Sequence, residues 1–197
     1  KSNTSGSDNT AIGKNSLYTN TSGSKNVAIG VEALKFNRTG TNNVAIGFEA
    51  LQRNTTGQKN VAIGAQSGYS NTTGVQNTSV GHEALEANTT GYRNTALGDS
   101  SLNLNSNGFE NTGIGVYSLD ANTTGDRNTA VGVNTLSTNT TGSNSTAIGV
   151  NALYANTSGY ENTAVGKDAL LSNSSGYQNT AQGNTALRSN TTGSRNT

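Results

Sequence analysis

Side chains able to do acid–base, nucleophilic or metal chemistry are few in this chain, and they do not gather. His82 is the only histidine and sits in a variable stretch, where a solvated surface residue is the ordinary outcome. There is no cysteine, which excludes thiol catalysis, disulfides and zinc–thiolate sites. Glu32, Glu49 and Glu83 share one phase of the sequence, yet no carboxylate pair recurs. The stretch from Gly6 to Gly13 has glycines in the manner of a phosphate loop, but no Gly-Lys-Ser/Thr follows at the required spacing. No nucleophile–base arrangement can be assembled from these residues. The sequence therefore reads as non-enzymatic, with no catalytic residue, cofactor or metal site.

Three other patterns could do more than build a scaffold. Asn3, Asn20, Asn37, Asn54, Asn71, Asn88, Asn105, Asn122, Asn139, Asn156, Asn173 and Asn190 form an unbroken column, and all but Asn105 head an Asn-x-Ser/Thr sequon. Either the amides bond to one another up a stack, as in cross-β arrays, or they accept glycans. Turn chemistry already demands Asn there, which favours the ladder. A Thr-rich edge runs through Thr55-Thr56, Thr72-Thr73, Thr89-Thr90, Thr123-Thr124 and Thr140-Thr141. Regularly spaced Thr can order water, but this edge is interrupted at Arg38, Ser106-Asn107 and Ser174-Ser175 and lies at a Gly-bearing turn. Lastly, Tyr92 with Phe109 and Tyr160 with Tyr177 share a column and could stack or hold sugar.

What positions all of these is a period of seventeen. Gly13, Gly30, Gly47, Gly64, Gly81, Gly98, Gly115, Gly132, Gly149, Gly166 and Gly183 form one column, and a second runs from Gly6 and Gly23 to Gly193. Together they hold 23 of the 25 glycines, leaving only Gly68 and Gly113 outside. With no insertion across eleven repeats, each repeat must sit in register on its neighbour, which is the mark of a solenoid. Seventeen is no multiple of five, six or nine, and no column is acidic, so pentapeptide, hexapeptide and calcium-binding nonapeptide arrays fit poorly.

Composition agrees. Apolar residues make up 30% of the 197 and aromatics 5%, with no Pro, Met or Trp, too little for one large core. Disorder is rejected because apolar residues hold fixed phases. A net charge of +1 gives no electrostatic footprint for nucleic acid. No apolar run approaches a membrane span. The chain opens and stops in mid-repeat, so residues 1–197 are expected to be one repetitive segment of a longer fibre.

Two glycines and a turn cluster per repeat leave no room for helices. The column Thr10, Val27, Val44, Val61, Thr78 is β-branched, and Ile12, Ile29, Ile46, Ile63, Val80 two positions on is aliphatic, so both lie on one strand face. That face is expected inside, and the Ala11 column is expected to let another backbone approach. Leu17, Leu34 and Leu51 mark a second apolar edge, which predicts two short strands per coil. The fold class is all-β: a parallel β-roll of about eleven coils, a rod of roughly 50 Å at strand spacing.

The blocks "NVAIG", "NTAVG" and "STAIG" resemble the head repeats of trimeric autotransporter adhesins of the YadA type, a motif also met in tail-fibre-like surface proteins. The resemblance covers essentially the whole chain. It implies a left-handed parallel β-roll, with three rolls around one axis and an inner wall formed by the Asn-Val-Ala-Ile-Gly strand. The coil here is longer, with an Asn-Thr-Thr-Gly turn. One coil alone buries too few apolar side chains to offset the entropy of ordering it, which is an independent motive for a homotrimer or filament. The expectation is an extracellular or cell-surface structural or adhesive fibre segment that meets a host surface or glycan. The alternatives are a carbohydrate- or ice-binding module and a phage tail-fibre shaft.

Overall fold

The computed structural model describes residues 3–197. Eleven three-residue strands, β1 (Thr10–Ile12), β2 (Val27–Ile29), β3 (Val44–Ile46), β4 (Val61–Ile63), β5 (Thr78–Val80), β6 (Thr95–Leu97), β7 (Thr112–Ile114), β8 (Thr129–Val131), β9 (Thr146–Ile148), β10 (Thr163–Val165) and β11 (Thr180–Gln182), line up in chain order. Every pair is parallel, and the register is a shift of one repeat: Thr10 faces Val27, Ala11 faces Ala28, Ile12 faces Ile29. The fold is a parallel β-solenoid of 17-residue coils.

Each coil contains one strand, not the expected two. The Leu column lies in turns, and its backbone is left-handed: φ is +49° at Leu34, +48° at Leu51 and +57° at Leu85. The residue two before each Leu is left-handed as well, such as Glu32 at +61°. This alternation sends every second amide out along the rod. Glu32 N–H donates to Lys14 O at 2.9 Å, Leu34 N–H to Ala50 O at 3.0 Å and Phe36 N–H to Gln52 O at 3.0 Å. The intervening amides close turns within the coil, for example Lys35 N–H to Glu32 O at 3.2 Å. A left-handed non-Gly residue costs about 1 kcal/mol, and a β-branched one more. Hence this inward position takes Leu, whereas the extended positions take Val, Thr and Ile.

The core reverses the expected strand phase. Ala28, Ala45, Ala62, Ala96, Ala130, Ala147 and Ala164 are fully buried, packed against the Leu column and its preceding Ala or Ser. The flanking columns point outward, with Ile12 59%, Ile63 38% and Ile148 42% exposed. A coil this narrow has room for Ala at mid-strand and for one Leu per turn, so the bulkier aliphatics cannot be its filling. The small-residue face is therefore consumed inside the coil.

The two glycines outside the columns accompany polar core patches. A Cβ on Gly113 would sit 2.7 Å from Ser101 Oγ, which already bonds Ser118 Oγ at 2.9 Å and Gly113 O at 3.0 Å. Gly68 stands where Leu is expected, in a coil where Ser67 Oγ donates to Ser79 Oγ at 2.7 Å. The apolar core divides there into a block ending at Ala62 and another starting at Ala84.

Candidate functional site

The regular inward polar side chains build two parallel tracks. In the first, each Asn Nδ2 donates to the Asn Oδ1 one coil earlier: Asn37 to Asn20 at 2.9 Å, Asn54 to Asn37 at 2.7 Å, Asn88 to Asn71 at 2.7 Å. The track continues through Asn122, Asn139, Asn156, Asn173 and Asn190. The same Nδ2 also donates to the Gly carbonyl three residues on, as Asn54 does to Gly57 O at 3.1 Å. Asn20 through Asn173 are buried. Asn105, which heads no sequon, takes the same place and donates to Asn88 Oδ1 at 3.1 Å.

The second track is not apparent as a ladder from the sequence columns alone. Asn26, Asn43, Asn60, Asn77, Asn94, Asn111 and Asn128 precede each strand, and each Oδ1 accepts from the backbone of the next coil, as Asn26 Oδ1 does from Asn43 N–H at 3.0 Å. Each Nδ2 reaches across the coil to a Gly carbonyl, Asn43 to Gly57 O at 2.9 Å. Its signal was present: Asn recurs at this phase, with Ser145 alone replacing it in the interior, where Ser145 Oγ accepts from Asn162 N–H at 3.2 Å. No buried side-chain nitrogen or oxygen among the described residues lacks a partner. The narrow coil thus uses amides as filling wherever the backbone would otherwise be left unpaired.

The two glycine columns serve different ends. Gly13 through Gly183 have φ between +124° and +140°, a region barred to side chains. Gly23 and its equivalents do not have positive φ, contrary to the turn reading; there a Cβ would strike the Gly carbonyl of the next coil and the Asn amides beside it.

Outside, the strand face carries two columns along the rod. Leu97 is 45% exposed and Ile114 36%, beside the Thr/Val column. The turn threonines spend their hydroxyl hydrogens on the backbone: Thr55 Oγ1 donates to Thr72 O and Thr72 Oγ1 to Thr89 O, both at 2.9 Å. Tyr92 and Phe109 stack at 4.9 Å, as do Tyr160 and Tyr177. Arg93 lies over Tyr92, Arg127 over Phe109 and Arg195 over Tyr177, at 5.1 to 5.9 Å. Arginines thereby cap Tyr92, Phe109 and Tyr177, while among the described residues none covers Tyr160, which is 41% exposed. Glu110 holds Arg93 at 2.9 Å and Arg127 at 3.3 Å. His82 is exposed between Asp99 at 3.2 Å and Glu83 at 3.5 Å. No group of three His, Cys, Asp or Glu among the described residues could hold a metal ion, and no helix long and apolar enough to cross a membrane occurs among them.

No protein-family model matches the chain, and comparisons with curated proteins and with solved structures give no match.

Proposed function

We propose that the chain is a segment of an extracellular or cell-surface fibre, structural or adhesive and not enzymatic, which works as a homotrimer. The observation that carries this reading is the outward aliphatic column from Ile12 to Val165, continuous over ten coils of a rod with a single repeated register. Two columns side by side, about 12 Å wide and roughly 50 Å long, offer on the order of 600 Å² per chain. A monomer seldom leaves so long an apolar strip in water. The contact face is then the Thr/Val–Ile face, because the Ala column is spent within the coil. The resemblance of the Asn-Val-Ala-Ile-Gly blocks to adhesin head repeats favours three copies about one axis and a surface location. The Asn column reads as structure in preference to glycan acceptors, since Asn105 keeps the ladder without a sequon.

Native mass spectrometry tests the assembly: a species of three 20.1 kDa chains is expected. A monomer with intact β circular dichroism would overturn it.

One observation favours a second reading. Thr78, Thr95, Thr112, Thr129, Thr146, Thr163 and Thr180 occupy seven successive coils of the outward column, at regular strand spacing. Such an array could order water or bind ice. Thermal hysteresis beyond the colligative value in a monomeric sample would favour it over the fibre.

A further inference from the structure

Basic side chains are concentrated at one end of the rod. Residues 1–59 hold seven of the twelve Lys and Arg and only three of the eleven Asp and Glu. Most charges farther along are spoken for: Arg93 and Arg127 share Glu110, and Arg127 also meets Asp126 at 3.1 Å. Arg38 and Arg53 differ. Both are exposed, and among the described residues neither guanidinium has an ion pair or a side-chain hydrogen bond.

They flank an open depression of about 390 Å³ lined by Thr19, Phe36, Arg38, Arg53 and Thr55, drawn from three successive coils. That volume lies within the range of small-ligand sites. Arg53 is held by its neighbour, its guanidinium 4.8 Å from the centre of the Tyr69 ring. Phe36 is 39% exposed and lines the depression beside both arginines, with the Lys35 ammonium 5.0 Å from the centre of its ring. Thr19 Oγ1 and Thr55 Oγ1 donate to Lys35 O and Thr72 O, both at 2.9 Å, so their free lone pairs are acceptors. The set offers two anion-binding forks, one apolar platform and two hydroxyl acceptors.

We propose that this depression is a binding site for an acidic saccharide, whose carboxylate or sulfate is held by Arg38 and Arg53 while a sugar ring rests on Phe36. Guanidinium forks match planar and tetrahedral oxyanions with charge-assisted bonds. An aromatic face takes the C–H side of a sugar ring, and sugar hydroxyls donate to the threonines. The site lies within one chain and does not depend on assembly.

Isothermal calorimetry with the purified chain tests it, using a heparin-type sulfated hexasaccharide, a sialylated trisaccharide and uncharged maltohexaose. Binding of either acidic probe with a dissociation constant of about 1 mM or tighter is expected, with none for maltohexaose. Arg38→Ala and Arg53→Ala should each weaken it about tenfold. Arg38→Lys with Arg53→Lys, which keeps the charge but loses the forks, should weaken it several-fold, and Phe36→Ala likewise. Arg93→Ala with Arg127→Ala removes equal charge elsewhere and should change nothing. Circular dichroism melts of all variants establish that they are folded. Which acidic probe binds identifies the anion. Failure of both to bind, equal binding of maltohexaose, an equal loss in the Arg93/Arg127 control, or competition by duplex DNA that is insensitive to the Arg38 and Arg53 changes would overturn the proposal.

Discussion

Asn26 and Asn37 meet at one atom: both side-chain amides donate to the Gly40 carbonyl, at 2.9 and 3.1 Å. Asn26 comes from the residue before a strand and Asn37 from the far corner of the same coil. The junction recurs at Gly57 with Asn43 and Asn54, and at Gly74 with Asn60 and Asn71. Each junction ties the two sides of a coil together, while the Oδ1 atoms tie it to the coil above. The carbonyl lies close enough to the preceding coil's Gly that a side chain there has no room.

Gly57→Ala should therefore be among the costliest single-methyl changes in the chain. Its Cβ would fall on Gly74 O and Asn54 Oδ1 and lie 2.8 Å from Asn71 Nδ2, and a backbone carbonyl cannot step aside. A loss of about 3 kcal/mol or more is expected by urea denaturation. A change below about 1 kcal/mol would show that neighbouring coils slide freely.

Replacing Asn88 separates the amide from its shape. Asn88→Ala removes the donor to Asn71 Oδ1 and Gly91 O and the acceptor for Asn105, at a cost of about 2 kcal/mol. Asn88→Asp should be worse at neutral pH, because a buried carboxylate faces Asn71 Oδ1 with no proton to give. Burial raises that carboxyl's folded-state pKa, so the variant binds more protons folded than unfolded. Its stability should rise as pH falls, the reverse of a salt-bridged acid. Melting temperatures at about pH 7 and about pH 4 decide it.

The coil carrying Ser67, Gly68 and Ser79 is the joint between the two apolar blocks. Amide hydrogen exchange should be fastest there among interior coils. Ser67→Ala with Gly68→Leu and Ser79→Ala should merge the blocks and raise the midpoint by several degrees. The Gly68 φ of +61° already suits the Leu column, and the nearest obstacle to a Cβ is the flexible Leu51 Cδ2, at 3.0 Å. A lower midpoint would mean that the serine pair is the better filling.

The period, the parallel stacking and the repeat boundaries were legible because glycine spacing leaves one register. Strand phase was not. Thr10-Ala11-Ile12 alternates correctly, but alternation does not say which face is inside, and hydrophobicity favours the wrong one here. The deciding quantity is coil width, set by left-handed Leu34 and its equivalents, and no propensity scale anticipates Leu at positive φ. The same narrowness made the Asn26 column invisible as a ladder, since an amide track matters only once the coil is too thin for apolar filling. The Arg38–Arg53 depression draws its residues from irregular positions of three coils, so a reading by columns passes over it.

Glu32 offers a local check on the outer charge pattern. Its carboxyl is held below its ordinary value of 4.5, first by the Lys35 ammonium 3.0 Å away and then by the Asn15 amide. A lowered folded-state pKa gives stability that is complete above about pH 4.5 and fades as pH falls through the folded value. The side chain is half-buried, and the observable is its titration by carbon-13 NMR. Lys35→Met should move it upward toward 4.5; no movement would assign the shift to the amide donors, Asn15 and Gln52.

The strand phase and the assembly are tested together by two adjacent residues. Ala62 is fully buried and Ile63 is 38% exposed, on opposite faces of β4. Ala62→Asp puts an unpaired carboxylate into a space sized for one methyl, at a cost of several kcal/mol, and should unfold the central coils. Ile63→Asp puts the same charge on the outward column. It should leave the coil folded, with its β circular dichroism intact. If that column is the contact between copies, Ile63→Asp should also shift the mass from trimer to monomer and make the melting temperature independent of protein concentration. Equal unfolding by both substitutions would contradict the phase described here, and a trimer that survives Ile63→Asp would move the contact to another face.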